Sequence, residues 1–416
     1  MKAGKYLIQL VILMLLTVSC TRKDMPDYQP IMVKEIRIGA LLSLTGEGSS
    51  AGKSSQVSLE FALEDIRGYL AASGIQEKIT LVTLDSKSDT AEALKQTEIF
   101  YKMGIRLIIG PYSNEELASV KNFADTHGML MISPSSDAGS LALPDDNVFR
   151  FVCSNAIQGE VINKMFNEDK IKVIIPLIRD DLWGNDQLTA TQNDFTISGG
   201  DVKAPVKYEP GTTVFSSALS HLDATVASEL DHHKPNEVAV YLLSCAEGVA
   251  ILREAKNYTN LNIVYWYGGS GLAQNTSVLT DTNAALFAYT HGLPCPIFGL
   301  EDAAKYRWQP LRDRIQGQIG RIPDVYSFTA YDALWVSVMT YITTGISPDI
   351  TLLKSVFINE SANFFGASGN TVLDENGDRA FGTFDFWAVK SDSTGYTWKR
   401  IAKYNSVTGI LIRINE

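Results

Sequence analysis

The residues best suited to touch a small molecule sit in two short polar stretches, Pro111-Tyr112-Ser113-Asn114 and Ser133-Pro134-Ser135-Ser136-Asp137. Hydroxyl and amide side chains of this kind hold a polar ligand by hydrogen bonds. Each stretch ends an apolar run, Leu107 to Ile109 and Met129 to Ile132. Between the runs, Leu117, Val120, Phe123 and Ala124 recur on one face of a helix that Gly128 can close with a left-handed cap. In a parallel sheet both polar loops lie at the carboxyl ends of neighbouring strands, where open α/β sheets bind ligands.

Other spacings suggest chemistry and fail at a specific position. The loop Gly46 to Gly52 follows a strand and opens a helix, and Gly52-Lys53-Ser54 matches the end of a phosphate loop. The other glycine of that loop falls on Glu47, an anion, and the dinucleotide fingerprint's glycine falls on Ala51. Gly268-Gly269-Ser270-Gly271 would be a nucleophile elbow only with glycine where Leu272 stands. Asp374-Glu375-Asn376-Gly377-Asp378 has the first half of a calcium loop and reads as a glycine turn. The expectation is a protein that is not an enzyme, with no catalytic residues, no metal site and no cofactor.

Strands and helices must position these loops. Glu35 to Leu42 and Ile79 to Leu84 read as strands, with Leu59, Leu63, Ile66 and Leu70 on a helix between them and Asp89 capping the next helix. A second such series follows, with strands Val173 to Ile178, Val238 to Leu243 and Ile263 to Tyr267. Strand–helix alternation at this spacing predicts two α/β lobes with parallel sheets. Tyr326 to Ile342 reads as an apolar helix presenting Tyr331, Leu334, Trp335, Val338 and Ile342 inward, and the chain's end reads as antiparallel strands. A net charge of −11 over 416 residues excludes nucleic acid as a partner, which needs basic clusters.

The amino terminus has its own pattern: Lys2 and Lys5, an apolar stretch from Tyr6 to Leu16, then Thr17-Val18-Ser19-Cys20. This resembles a bacterial lipoprotein signal, with Thr17 in place of the usual leucine. The resemblance implies removal of residues 1–19, lipid on Cys20, residues 20–34 as a tether, and a cell-envelope location anchored to a membrane. A plain secretory signal or a short anchor helix is the alternative. Cys153, Cys245 and Cys295 then remain, an odd number that permits at most one internal bridge and leaves the pairing open.

In order along the chain, IGALLSLTGEGSSAG, ALEDI, LIIGPYSN, MLMISPSSD, IRDDLWGND, AYDALWV and GNTVLDENGDR together resemble the type I periplasmic binding proteins. The likeness is to the branched-chain amino acid receptors of ABC importers. It implies two Rossmann-like lobes joined by three crossovers, a ligand cleft between them and hinge closure. The lobes would be 35–154 plus 295–374 and 155–294 plus 375–416. The family's ligand positions fall on Ser113, Asn114, Ser135, Ser136, Asp137, Trp183, Ser244 and Ser270. Asp137 stands where the receptors have a threonine, Ser270 where they have the acid that meets the ligand's ammonium, and Ser244 and Ala51 where they have aromatics. A buried zwitterion needs an anion for its ammonium and donors for its carboxylate. These departures therefore imply a small polar ligand that is not a standard α-amino acid, delivered to an ABC permease. A second expectation is an outer-membrane lipoprotein of the same fold that regulates a cell-wall synthase and carries no solute.

Overall fold

The computed structural model describes residues 35–414 apart from residues 348 and 394. The signal, Cys20 and the tether lie outside the described residues. The first sheet is all parallel: β1 (Glu35–Leu42), β2 (Lys78–Asp85), β3 (Leu107–Ile109), β4 (Leu130–Ser133) and β5 (Val148–Arg150), in the order β2-β1-β3-β4-β5. Helices α1 (Ser49–Ala72), α2 (Thr90–Lys102) and α3 (Asn114–His127) connect its strands. Successive side chains of a strand face opposite sides. Ile36, Ile38, Ala40 and Leu42 accordingly pack against α1, while Leu41 packs with Phe100 of α2 and Leu117, Val120 and Ala124 of α3. Gly128 caps α3 in the left-handed conformation, and the Asp89 side chain accepts from Glu92 N, as the sequence leads one to expect.

The chain then crosses into α4 (Asn155–Glu168), β6 (Val173–Arg179), α5 (Leu182–Ile197), β7 (Asp201–Val202), β8 (Val206–Tyr208), α6 (Ser216–Leu230), β9 (Val238–Leu243), α7 (Gly248–Ala255) and β10 (Tyr265–Gly268). The second sheet is also parallel, in the order β10-β9-β6-β7, with β8 pairing further along β6. Val173, Ile175 and Leu177 face α6 and α7, and Ile174 and Ile178 face α4 and α5. β1 lies between β2 and β3 in the first lobe, and β6 lies between β9 and the short β7 and β8 in the second, so the switch points fall between β1 and β3 and between β6 and β9.

After α8 (Thr276–Thr280) and α9 (Thr282–His291), strand β11 (Cys295–Gly299) opens a separate antiparallel sheet. Helices α10 (Lys305–Ile319), α11 (Tyr326–Thr344) and α12 (Ile350–Asn363) return to the first lobe: Ala330, Leu334, Leu353 and Phe357 share a core with Ile36 and Leu59. Then β12 (Thr383–Asp392), β13 (Gly395–Asn405) and β14 (Ile410–Arg413) complete the sheet β11-β12-β13-β14, whose Phe384, Phe386, Ala402 and Tyr404 pack with Phe166 and Phe195 of the second lobe. The boundary drawn at residue 295 therefore falls on a strand whose hydrogen-bond partner is β12. The inner face read for α11 is too narrow, because Ser327, Thr329, Asp332 and Ser337 are buried as well as Leu334 and Val338. Cys153, Cys245 and Cys295 are all free thiols.

Candidate functional site

The carboxyl ends of β1, β3 and β4 form one wall of the interlobe cleft. Each lobe fixes its first loop by one close backbone approach. A Cβ on Gly52 would stand 2.0 Å from the Ser43 carbonyl oxygen, and a Cβ on Gly184 would stand 2.1 Å from that of Arg179. These glycines therefore seat α1 and α5 against the ends of β1 and β6, a packing role at a place where the sequence suggests phosphate chemistry.

In the first lobe, Ser113 caps α3: its Oγ accepts from Glu116 N at 3.2 Å, and its own N–H donates to Glu116 Oε2 at 3.1 Å. This is a reciprocal capping box. Asn114 is 4% exposed, and its Oδ1 accepts from Ser136 Oγ (2.5 Å), Asp137 N (2.9 Å) and Ala138 N (3.0 Å). Its Nδ2 donates to Asp137 Oδ1 at 3.1 Å. Ser135 Oγ donates to Tyr112 O at 2.6 Å, and Ser133 Oγ accepts from Ser136 N at 3.0 Å. Asp137 Oδ2 accepts from Gln158 Nε2 of α4 at 2.5 Å, a bond that crosses between the lobes. Burial pushes the Asp137 carboxyl up to about 6, against the amides of Asn114 and Gln158, which favour its ionised form.

The structure thus brings Ser113, Asn114, Ser135, Ser136 and Asp137 together at the strand ends. Their side chains are committed to one another and to the backbone. The N–H groups of Ser113, Ser136, Asp137 and Ala138, which could have held a carboxylate, are committed too.

In the second lobe, Trp183 begins α5 and lies across the turn after β10, where Cβ atoms on Gly269 and Gly271 would meet its ring at 3.2 and 3.3 Å. Ser270 sits partly exposed in that turn. Ser244, at the end of β9, is fully buried and its Oγ accepts from Tyr208 OH at 2.6 Å. Arg179 reaches out from the end of β6 and grips Glu47 of the first lobe with both nitrogens, at 2.6 and 3.1 Å. Asp181 at 2.6 Å and Glu247 at 3.4 Å flank the same guanidinium. Ser140 and Asp186 add a second polar bridge, Oγ to Oδ2 at 2.6 Å.

Between these walls lie four residues outside the ligand positions that the family resemblance implies: Tyr112, Cys245, Asp324 and Tyr326. Each is half-buried. The rings of Tyr112 and Tyr326 meet edge to face, centroids 5.9 Å apart at 81°. Asp324 Oδ1 accepts from Tyr326 N at 3.1 Å, whereas its Oδ2 is buried without a hydrogen-bond partner. Burial pushes the Asp324 carboxyl up to about 6. Burial also pushes the Cys245 thiol up to about 12, so it is not poised as a nucleophile. The only sequence signal for these four was adjacency, Tyr112 to Ser113 and Cys245 to Ser244. Asp324 and Tyr326 arrive from a segment about two hundred residues downstream, at the start of a helix that reads as core. Among the described residues, no group of three or more His, Cys, Asp or Glu is arranged to hold a metal ion, and no helix is long and apolar enough to cross a membrane.

A family model described as periplasmic binding protein matches residues 35–250. An uncharacterised protein of Methanocaldococcus jannaschii is 26% identical over 392 residues, spanning 90% of each chain. A leucine-binding protein from Thermotoga maritima superposes with a TM-score of 0.72 at 22% identity, covering 88% of this chain and 97% of that one. The branched-chain amino acid binding protein of Streptococcus pneumoniae, solved with isoleucine, gives 0.70 at 18% identity, covering 88% and 100%. A solute-binding protein of an ABC transporter from R. palustris, solved with benzoate, gives 0.70 at 17% identity, covering 89% and 96%.

Proposed function

Because the chain belongs to the periplasmic binding protein family, we propose that it is an extracytoplasmic lipoprotein that captures one small polar solute between its lobes and presents it to an ABC permease. The observation that carries this reading is the half-buried cluster of Tyr112, Cys245, Asp324 and Tyr326 gathered at the facing strand ends. Lobes of this kind close about a hinge when a ligand bridges them, and Arg179–Glu47 is a bond that only the closed arrangement can make. Strand pairing supports crossovers near residues 154, 300 and 381, so that β11 joins the second lobe and the stretch around Asp378 stays with the first.

A standard α-amino acid is a poor fit in this reading. The first-lobe N–H groups named above are already bonded, and Asp137 adds negative charge beside them. The proteins solved with isoleucine and benzoate indicate what other proteins of this fold hold. The alternative, a regulator of cell-wall synthesis without a solute, is favoured by one observation: Ser113, Asn114, Ser135, Ser136 and Ser244 spend their polar atoms inside the protein.

Mass spectrometry of protein purified gently and then denatured tests both. Release of a stoichiometric small molecule that raises the melting temperature on re-addition supports a binding protein. An empty cleft and no stabilisation by any solute in a broad library would leave the regulator. Labelling with palmitate in a bacterial host, lost in Cys20→Ala, tests the anchor.

A further inference from the structure

The cluster has a definite electrostatic character. The Ser54 hydroxyl favours the ionised form of Asp324, yet its buried Oδ2 has no donor at full hydrogen-bond geometry, which costs free energy until one reaches it. The phenols of Tyr112 and Tyr326 feel Asp137 and Asp324 as their nearest acids. Two arginines stand nearby, each with its N–H groups already engaged. Arg321 donates to Ser54 Oγ at 2.9 Å and to Ser50 O, and Arg179 is surrounded by Glu47, Asp181 and Glu247. A second carboxylate oxygen, Oε1 of Glu115 in the first turn of α3, is also buried without a partner, and its charge reaches Asp181 on the opposite lobe. An edge-to-face tyrosine pair leaves ring face open, which attracts a cation.

Building on the binding-protein reading, we infer that the solute is a protonated amine or guanidine without a carboxylate, its N–H groups donating to Asp324 Oδ2 and its charge lying against the Tyr112–Tyr326 pair. The free acceptor asks for a donor, and the aromatic faces ask for positive charge. Asp137, held by Asn114 and Gln158, adds field from behind without touching the solute.

The pH dependence follows from the same groups. Asp324 is faced by Arg321 on its own segment, Ser54 of α1, and the Tyr112 and Tyr326 rings, with Asp137 beyond them. With its pKa raised to about 6, Asp324 is ionised at pH 8 and protonated at pH 5. A cationic solute therefore binds tightly at pH 8 and loses affinity as pH falls through about 6.

Calorimetry on the lipid-free soluble form tests this with butylamine, putrescine and agmatine as amines, leucine as a zwitterion and benzoate as an anion. At least one amine should bind while leucine and benzoate do not, with affinity falling about tenfold or more between pH 8 and pH 5. Asp324→Asn should weaken that amine by about 10- to 100-fold while the melting temperature holds or rises. The pH series on the unaltered protein carries the test if the variant misfolds. Binding of leucine or benzoate in preference to every amine, or amine binding indifferent to both pH and Asp324→Asn, overturns the inference. If mass spectrometry finds a neutral or anionic solute released from the protein, this inference falls and the binding-protein reading stands; an empty cleft removes both.

Discussion

The two places where the lobes are joined contrast in chemistry. On the hinge side, within the first lobe, Arg150 is fully buried and paired with Asp378 through two nitrogens, while its Nη1 holds Ala138 O. Asp137 ties Asn114 of the first lobe to Gln158 of the second. At the mouth, Arg179 meets Glu47, whose side chain is 55% exposed, and the exposed Ser140 meets the half-buried Asp186. A buried, fully bonded pair is costly to break because the survivor is left uncompensated, whereas an exposed pair contributes little and is screened by salt. The hinge bonds therefore belong to folding, and the mouth bonds to opening and closing.

Breaking the hinge side should have the largest effect. Asp378→Ala leaves the Arg150 guanidinium buried without its carboxylate and is expected to cost about 3–5 kcal/mol in urea unfolding. A loss below 1 kcal/mol would place that pair among the mouth contacts. Asn114→Ala strands Asp137 N, Ala138 N and Ser136 Oγ together, and about 3 kcal/mol is expected, read by the same method.

A smaller effect comes from pH. The Asp137 carboxyl has its pKa raised from 3.8 to about 6 by burial, so the folded form takes up a proton that the unfolded form releases. Its stabilising contribution is complete below about pH 4 and disappears as pH rises through about 6, by at most about 3 kcal/mol. Thermal unfolding should show this as a higher melting temperature at pH 5 than at pH 7.5, and Asp137→Asn should reduce the difference, the rest coming from Asp324, Asp332 and Asp378, which burial raises alike. Smallest in stability is Glu47→Gln, expected to change unfolding by less than about 1 kcal/mol while raising the solute off-rate several-fold at low salt. Loss of that difference in high salt would confirm an exposed latch; stopped-flow release without any change would assign closure to other contacts.

Much of the scaffold was legible in the sequence because its signals are local. The Asp89 cap and Gly128 lie within a turn or two of what they fix. The alternation of buried runs and amphipathic helices gave two parallel α/β lobes. Short strands such as Asp201–Val202 and Val206–Tyr208 carry too few residues for a period, and helix Ser216–Leu230 has only Leu219, Leu222 and Val226 fully inside. The site was half legible. Residue order places Ser135 and Asp137 at a strand end but does not say that Asn114 will consume their neighbours' donors. Nor does it say that Asp324 and Tyr326 will arrive from the far end of the chain to face Tyr112.

The Asn114 hub has one more consequence. Its four hydrogen bonds hold the two strand-end loops of the first lobe together whether or not anything occupies the space in front of them. That wall is a finished surface before the solute arrives, so no ordering entropy is lost there on capture. The amide hydrogens of Asp137 and Ala138 should exchange as slowly in the empty open protein as in the loaded closed one. Recognition then works like a vice with one fixed jaw: only the angle of the other jaw carries the news that the solute is in place.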